Sequence, residues 1–248
     1  MPCESVVAIP VYNEAPTIRR VLDRARLYAC DVLVVDDGST DGTSEMLGEE
    51  RDIHLIRHRA NEGYGKSLTD AFDFAIRSGY DHLITMDADE QHDPALIPAF
   101  LRQVAHFDIV SGSRYLEESP GSDAPPPERR AINREVCQVL RECCGLALTD
   151  AFCGYKAYQT PALRRLHVTE TGYAMPLQLW VQAAYLRLRI LEIPCHRIYR
   201  DPGRTFGGVL DDAEVRRRYY LQTIEREVAR LRAAGAGTRS ASCRERGR

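Results

Sequence analysis

The chain of 248 residues predicts an α/β fold with a mostly parallel central sheet and helices on both faces. Three observations carry that expectation. From residue 5 to about residue 112, short runs rich in Val and Ile alternate with longer amphipathic stretches. The runs are apolar at nearly every position, as strands covered on both faces must be. Acidic and glycine-bearing clusters follow them, at the carboxyl ends where open α/β sheets take up ligands.

Taken in order, "SVVAIP" predicts a strand, 15–29 a helix, "DVLVVD" a second strand and, after a Gly-Ser-Thr turn, 41–47 a short helix. "IHLIRH", a helix over 65–78, "HLITMD", a helix over 94–105 and "FDIVSGS" continue the alternation. The pattern breaks at "LEESPGSDAPPPERR", where consecutive prolines and small polar residues predict a surface loop. Beyond it, helices are predicted over 130–146, 175–188 and 211–234, with strand character in "FCGYKAYQT" and "RILEIPCHRIYR" and a glycine-rich loop in "DPGRTFGG". The basic stretch "GAGTRSASCRERGR" predicts a disordered tail over 235–248.

Composition narrows the function classes. An apolar fraction of 44% with 28% charged residues is that of a soluble protein, and no apolar run approaches the roughly 18 residues of a membrane span. The N-terminus lacks the basic start and cleavage site of a signal peptide, which predicts a cytoplasmic protein. The eight cysteines form no C-x-x-C pair, so free thiols are expected and neither a zinc knuckle nor a redox motif is. A net charge of −3 gives no general attraction to nucleic acid, which is not expected as a partner.

The segment "MDADEQHDP" follows a predicted strand directly. Asp87 and Asp89 are two positions apart, so an extended strand exit projects both to one side, with Gln91 next on that face. Two carboxylates and an amide oxygen are part of an oxygen shell for Mg²⁺ or Mn²⁺, completed by water and phosphate oxygens. A solvated acidic turn before the helix opened by Pro94, with Asp93 as its N-cap, fits the same spacing. In "VVDDGSTDGT" the adjacent Asp36 and Asp37 lack the Asp-x-Asp spacing of a haloacid-dehalogenase phosphatase, and "YNEAPT" replaces the G-x-G-x-x-G of a dinucleotide-binding turn. Asp37 and Glu14 are candidates to accept hydrogen bonds from a base and a ribose, whereas Asp41 reads as a helix cap.

Together the blocks "IPVYNE", "VVDDGSTDGT", "NEGYGKSLTDAFDFA", "MDADEQHDP", "GSRY" and "DAFCGYKAY" resemble, in order, the family 2 glycosyltransferases of GT-A type, particularly the dolichyl- and polyprenyl-phosphate sugar (mannose) synthases. The resemblance covers roughly residues 5–160. It implies a GT-A-like nucleotide-binding fold over 1–234, with a nucleotide-sugar half over about 1–114 and an acceptor half over about 115–234. It implies a nucleoside pocket of Pro10, Tyr12, Glu14 and Asp37, and Asp87 and Asp89 on the sugar-nucleotide and metal with Gln91 a third ligand. Arg114, Arg130 and Arg204 would face phosphates, and Gly63 and Gly65 would let the backbone approach the nucleotide beside Lys66.

The implied reaction is metal-dependent, inverting transfer from a UDP- or GDP-sugar, with Asp89, Arg114 and Arg204 in catalysis and a polyprenyl phosphate as candidate acceptor. A hydroxyl acceptor would need a base, for which Asp150 is the candidate. The sequence departs from the family at Gln178, where relatives often carry a glutamate, and at Gly203-Arg204-Thr205-Phe206, usually Gly-x-Ser-Lys. A sugar-nucleotide pyrophosphorylase or a non-catalytic nucleotide-sugar binder are the competing readings. "PVYNEAPT" is not the Gly-rich basic loop that a pyrophosphorylase has after its first strand. The last helix, with Val215, Tyr219, Ile224, Val228 and Leu231 near one face, either packs on the domain or meets an anionic membrane peripherally. A homodimer is a further candidate assembly.

Overall fold

The structure, a computed structural model, describes residues 4–116, 126–196 and 208–235. The strands are β1 (Ser5–Val11), β2 (Asp31–Asp36), β3 (His54–Arg57), β4 (His82–Thr85), β5 (Ile109–Ser113), β6 (Lys156–Gln159) and β7 (Ile190–Pro194). They form one sheet in the order β3-β2-β1-β4-β6-β5-β7. All neighbours are parallel except β6, which runs antiparallel to both β4 and β5. The predicted α/β class therefore holds, with one reversed strand in its middle.

Alternation along the strands divides the core between two faces. Val6 and Ala8 of β1 join Leu33, Leu83 and Ile109 on one face, packed by α3 (Tyr64–Ser78), α5 (Pro127–Cys144), α7 (Met175–Tyr185) and α8 (Ala213–Ala233). Val7, Ile9 and Val11 join Val34, Ile84 and Val110 on the other, against α1 (Ile18–Ala25), α2 (Thr43–Glu49) and α4 (Ile97–Val104). In α1 the buried residues Ile18, Val21, Leu22 and Ala25 recur at helical spacing, which fixes that face to the sheet. Asp93 caps the 3₁₀ turn Pro94–Leu96 by accepting from the Ala95 N–H, and Gly79 and Gly145 end α3 and α5 in the left-handed region.

A short helix, α6 (Thr160–Leu163), follows β6 where no helix was expected. The last helix resolves its two readings towards packing: Tyr220, Ile224 and Val228 are buried against the core and Val215 stays exposed. No described helix is long and apolar enough to cross a membrane. Cys137, Cys143, Cys144, Cys153 and Cys195 are free thiols, but Cys30, just before β2, is disulfide-bonded, which corrects the expectation for that residue. The predicted tail and most of the proline-rich loop lie outside the described residues.

Candidate active site

A cavity of about 950 Å³ opens beyond the carboxyl ends of β1, β2, β4 and β5. Parallel register places these exits side by side: Val11 pairs with Asp36, and the N–H of Met86, just past β4, reaches back to Ala8 of β1. Pro10, Tyr12, Glu14, Asp37, Asp87, Asp89, Gln91 and Arg114 all line it. Gly65, Lys66, Arg130 and Asp150 do not.

Asp37 forms the wall beyond β2 and is 3% exposed. Its Oδ1 accepts from the Glu62 N–H at 2.8 Å and faces His58 Nδ1 at 2.6 Å, and its Oδ2 accepts from the Gly63 N–H at 2.9 Å. The loop before α3 is thus tied to the end of β2. Gly63 and Gly65 are both required by packing against a turn, and Gly63 also lines the cavity while Gly65 does not. A Cβ at Gly63, where φ is +107°, would strike the Thr171 carbonyl, and one at Gly65 would lie 2.7 Å from Met175 Cβ. Lys66 turns away, its Nζ held 2.5 and 2.6 Å from the Asp70 oxygens one helical turn on.

Beyond β4, the Asp87 N–H donates to His92 Nδ1 at 3.0 Å, and Asp87 Oδ1 accepts from the Tyr64 hydroxyl at 3.3 Å. Asp89 Oδ1 accepts from the Gln91 N–H at 3.0 Å, closing a tight turn in which Glu90 adopts φ +61°. A non-glycine residue there costs free energy, and the turn is anchored by Arg20, whose Nε and Nη2 lie 3.2 and 3.1 Å from the Glu90 carboxylate. Among the described residues no cluster of three or more His, Cys, Asp or Glu side chains is arranged to hold a metal. Two hard oxygen donors on a cavity wall do suit Mg²⁺ or Mn²⁺ that takes its other ligands from water and a diphosphate. Asp87 and Asp89, with Gln91 beside them, are the residues that would hold such an ion.

Arg114, just past β5, makes a two-pronged ion pair with Asp150: Nε to Oδ2 at 2.7 Å and Nη2 to Oδ1 at 2.9 Å. Asp150 is fully buried and also accepts from the backbone N–H groups of Arg114, Phe152 and Cys153. Burial opposes its ionisation, yet the guanidinium and these donors hold its carboxyl below the ordinary carboxylate range. Asp150, the candidate base for a hydroxyl acceptor, is therefore not open to the cavity; it is the fixed partner of Arg114, which does line the cavity.

The opposite wall comes from α5, α7 and α8. Arg129, Ile132 and Asn133 line it at helical spacing, so the lining arginine is Arg129 and not Arg130, which is one residue out of phase and exposed. Phe152, Tyr173, Pro176 and Tyr220 make the rest largely apolar. Arg216, 3% exposed, joins this wall; it pairs with Glu128 and its Nη1 donates to the Leu210 carbonyl at 2.7 Å. Gln178 is buried away from the cavity, where it and Gln182 donate to Glu227 of α8 at 3.0 and 2.8 Å, a brace between helices. Arg204 lies outside the described residues.

The family model described as Glycosyl transferase family 2 matches residues 6–166. The chain belongs to this family. It is a glycosyltransferase, and its relatives include an undecaprenyl-phosphate mannosyltransferase of Micrococcus luteus, 33% identical over 84% of this chain and 89% of that protein. A polyprenol monophosphomannose synthase of Mycolicibacterium smegmatis is 30% identical over 80% of this chain and 79% of the other. Among solved structures, glucosyl-3-phosphoglycerate synthase from Mycobacterium tuberculosis in complex with Mn²⁺, UDP and glucosyl-3-phosphoglycerate superposes with a TM-score of 0.70. That match covers 92% of this chain and 81% of the other at 18% identity, and it shows the GT-A fold.

Several residues of the glycosyltransferase site escape sequence reasoning. Arg129 and Asn133 could have been found only by phasing α5 against its buried positions Ile132, Val136 and Leu140, and Arg216 only by phasing α8 against Tyr220, Ile224 and Val228. Gly154 carried no signal beyond its block. A Cβ there would lie 2.6 and 2.7 Å from the two Asp87 oxygens, so the missing side chain is what lets Asp87 sit against the loop before β6. Gly154→Ala is expected to push the carboxylate aside, lowering stability by about 1–3 kcal/mol. Metal-dependent nucleotide affinity should fall by an order of magnitude or more, since a misplacement of about 1 Å in a site is that costly. Calorimetric titration of UDP and GDP with Mg²⁺ into the variant checks this, and unchanged affinity would remove Asp87 from the site.

Proposed function

We propose that this glycosyltransferase moves a sugar from a UDP- or GDP-sugar to a polyprenyl phosphate, with inversion at the anomeric carbon and with Mg²⁺ or Mn²⁺ at Asp87 and Asp89. The observation that carries the reading is one cavity with two unlike walls: acidic and backbone groups on the β1, β2 and β4 side, arginines among apolar rings on the α5, α7 and α8 side. The first wall suits a nucleoside diphosphate escorted by a cation. The second suits a phosphate carrying a hydrocarbon chain. The names of the relatives from Micrococcus luteus and Mycolicibacterium smegmatis support a polyprenyl-phosphate acceptor, and the neighbour solved with Mn²⁺ and UDP supports a divalent ion.

In this reading an acceptor phosphate oxygen forms a bond to the anomeric carbon from the face opposite the diphosphate. The bond from that carbon to the diphosphate oxygen breaks, and the electron pair leaves with the nucleotide. Arg114 presents its remaining N–H donors to the charge that develops there, and fixed donors in a partly dry site are worth more than mobile ones in water. A bound divalent cation would neutralise the same charge as a Lewis acid. A lipid phosphate is already ionised, so no base is needed, in keeping with an Asp150 that is committed to Arg114. Exposed Leu116, Val209 and Val215 lie next in sequence or close to the arginine wall and suit an acceptor whose tail stays in a membrane.

The test is transfer of label from GDP-mannose, UDP-glucose and related donors to undecaprenyl phosphate in detergent, with 3-phosphoglycerate as a water-soluble phosphate acceptor in parallel. Label should enter the organic phase with one of the donors, and EDTA should prevent it. Transfer confined to 3-phosphoglycerate would overturn the lipid acceptor while keeping the donor chemistry.

A further inference from the structure

Behind the cavity wall, Asp37 is backed by a run of alternating charges that is buried at His58 and partly exposed at Asp70 and Lys66. His58, whose side chain is 6% exposed, follows β3 and lies between two carboxylates: Nδ1 is 2.6 Å from Asp37 Oδ1 and Nε2 is 2.8 Å from Asp70 Oδ2. Asp70 in turn holds Lys66, so the order is Asp37, His58, Asp70, Lys66. These are the charged groups that face the ring, Asp37 from the end of β2 and Asp70 from α3, with Lys66 behind Asp70. An ionised carboxylate can only accept hydrogen bonds. A neutral imidazole would have to turn one lone pair onto a carboxylate, so this geometry calls for both ring nitrogens to carry protons. Burial disfavours that charge, but the two carboxylates outweigh it and raise His58 above the ordinary histidine value.

We propose that His58, as an imidazolium, is a positioning residue for nucleoside recognition: together with the Glu62 and Gly63 N–H groups it fixes the Asp37 carboxylate, so that Oδ2, which accepts from Gly63, turns its second lone pair to the base. This rests on the nucleotide-sugar reading of the cavity and adds to it a pH-sensitive support that the cavity itself does not contain. The sign follows from the raised value. The clamp is complete at pH below the raised His58 value and is lost as pH rises through it, when a lone pair faces Asp37 or Asp70. Nucleotide affinity should therefore fall towards alkaline pH.

Two substitutions separate a positioning role from a strut. His58→Asn keeps a donor near the Nδ1 position, facing Asp37, but does not titrate. His58→Gln keeps one near the Nε2 position, facing Asp70, and strips Asp37 of its side-chain partner. Calorimetric titrations of UDP and of GDP with Mg²⁺, from about pH 6 to pH 9, should give His58→Asn an affinity within about threefold of wild type and a flatter pH profile. His58→Gln should bind about tenfold more weakly at neutral pH, as for loss of a hydrogen bond to a charged group. Magnesium pyrophosphate, which has no base, should not distinguish the variants. Asp70→Asn, remote from the cavity, should shift the wild-type profile to lower pH by lowering His58.

Thermal unfolding without nucleotide reports folding separately. Ring ¹⁵N shifts of labelled protein, assigned by difference with His58→Gln, should show a doubly protonated His58 at neutral pH whatever binds. A neutral ring at that pH, or matching nucleotide affinities and pH profiles for wild type and His58→Gln, would overturn the inference while leaving the nucleotide reading standing. Wild type binding neither nucleotide would overturn that reading and the inference with it.

Discussion

Arg114→Ala is expected to lower stability by about 3–5 kcal/mol and turnover by roughly a thousandfold. The stability loss comes from Asp150, which is fully buried and would keep only its backbone donors after the guanidinium is removed. Uncompensated buried charge of that kind is among the few causes of so large an effect. In the proposed reaction the turnover loss comes from the donors that Arg114, on the cavity wall, presents to the leaving diphosphate. Arg114→Lys should recover part of the charge but neither the fork nor its orientation, since an ammonium cannot make both prongs. Urea unfolding at neutral pH and single-turnover transfer measure the two losses separately.

The same pair gives an acid limb. Asp150 titrates lower in the folded chain than in the unfolded one. Its contribution is complete above the unfolded value, near pH 4, and disappears as pH falls through the folded value. Wild type and Arg114→Ala should therefore differ in stability at neutral pH and converge in strong acid. An alanine variant as stable as wild type at pH 7 would mean that Asp150 does not depend on this partner.

Asp89→Asn is expected to remove the metal-dependent part of nucleotide binding while leaving the fold nearly unchanged. Asparagine retains the carbonyl oxygen that can accept from the Gln91 N–H, so the turn after β4 keeps its closing bond. It loses the negative charge that a hard cation requires. At about 100 times the dissociation constant a nucleotide stabilises wild type by roughly 2.7 kcal/mol. That gain should need Mg²⁺ or Mn²⁺ in wild type, should vanish with EDTA and should be absent in the variant. Thermal shifts of wild type that are identical with and without EDTA would sink the metal assignment.

The strands and their exits were legible in the sequence because each strand is a nearly unbroken apolar run closed by residues that cannot continue it. Asp37, Asp87, Asp89 and Arg114 follow those runs at once, so placing the strands placed them on the cavity wall. What the pattern did not carry is lateral order. Nothing in "FCGYKAYQT" says that β6 runs against its neighbours, because alternation reports which face is buried and not which strand lies alongside. Helix phase was the second blind spot: reading Arg130 for Arg129 turns a side chain through about 100°. Asp150 was a third, since a carboxylate beside a predicted site looks the same in sequence whether it is open to substrate or locked to an arginine. Gly65 was a fourth, its lack of a side chain being required by residues 170–175, which are distant in the chain.

The position of β6 has a consequence for how the protein is made. β4 bonds to β1 and β6, and β5 bonds to β6 and β7, so β6 alone joins the two parts of the sheet. Until residues 156–159 have left the ribosome and found their place, β4 presents an open edge beside Asp87 and Asp89. Gly154, which sits on Asp87, arrives with the same segment. The corner proposed for the cation is thus completed by chain some seventy residues downstream, through contacts of long loop closure that form late. A fragment ending before β6 would carry every nucleotide-side residue and still expose an unpaired strand edge that favours aggregation. The proposed donor and acceptor walls are therefore joined through one strand, and exchanging either for that of a relative is expected to require β6 to be exchanged with it.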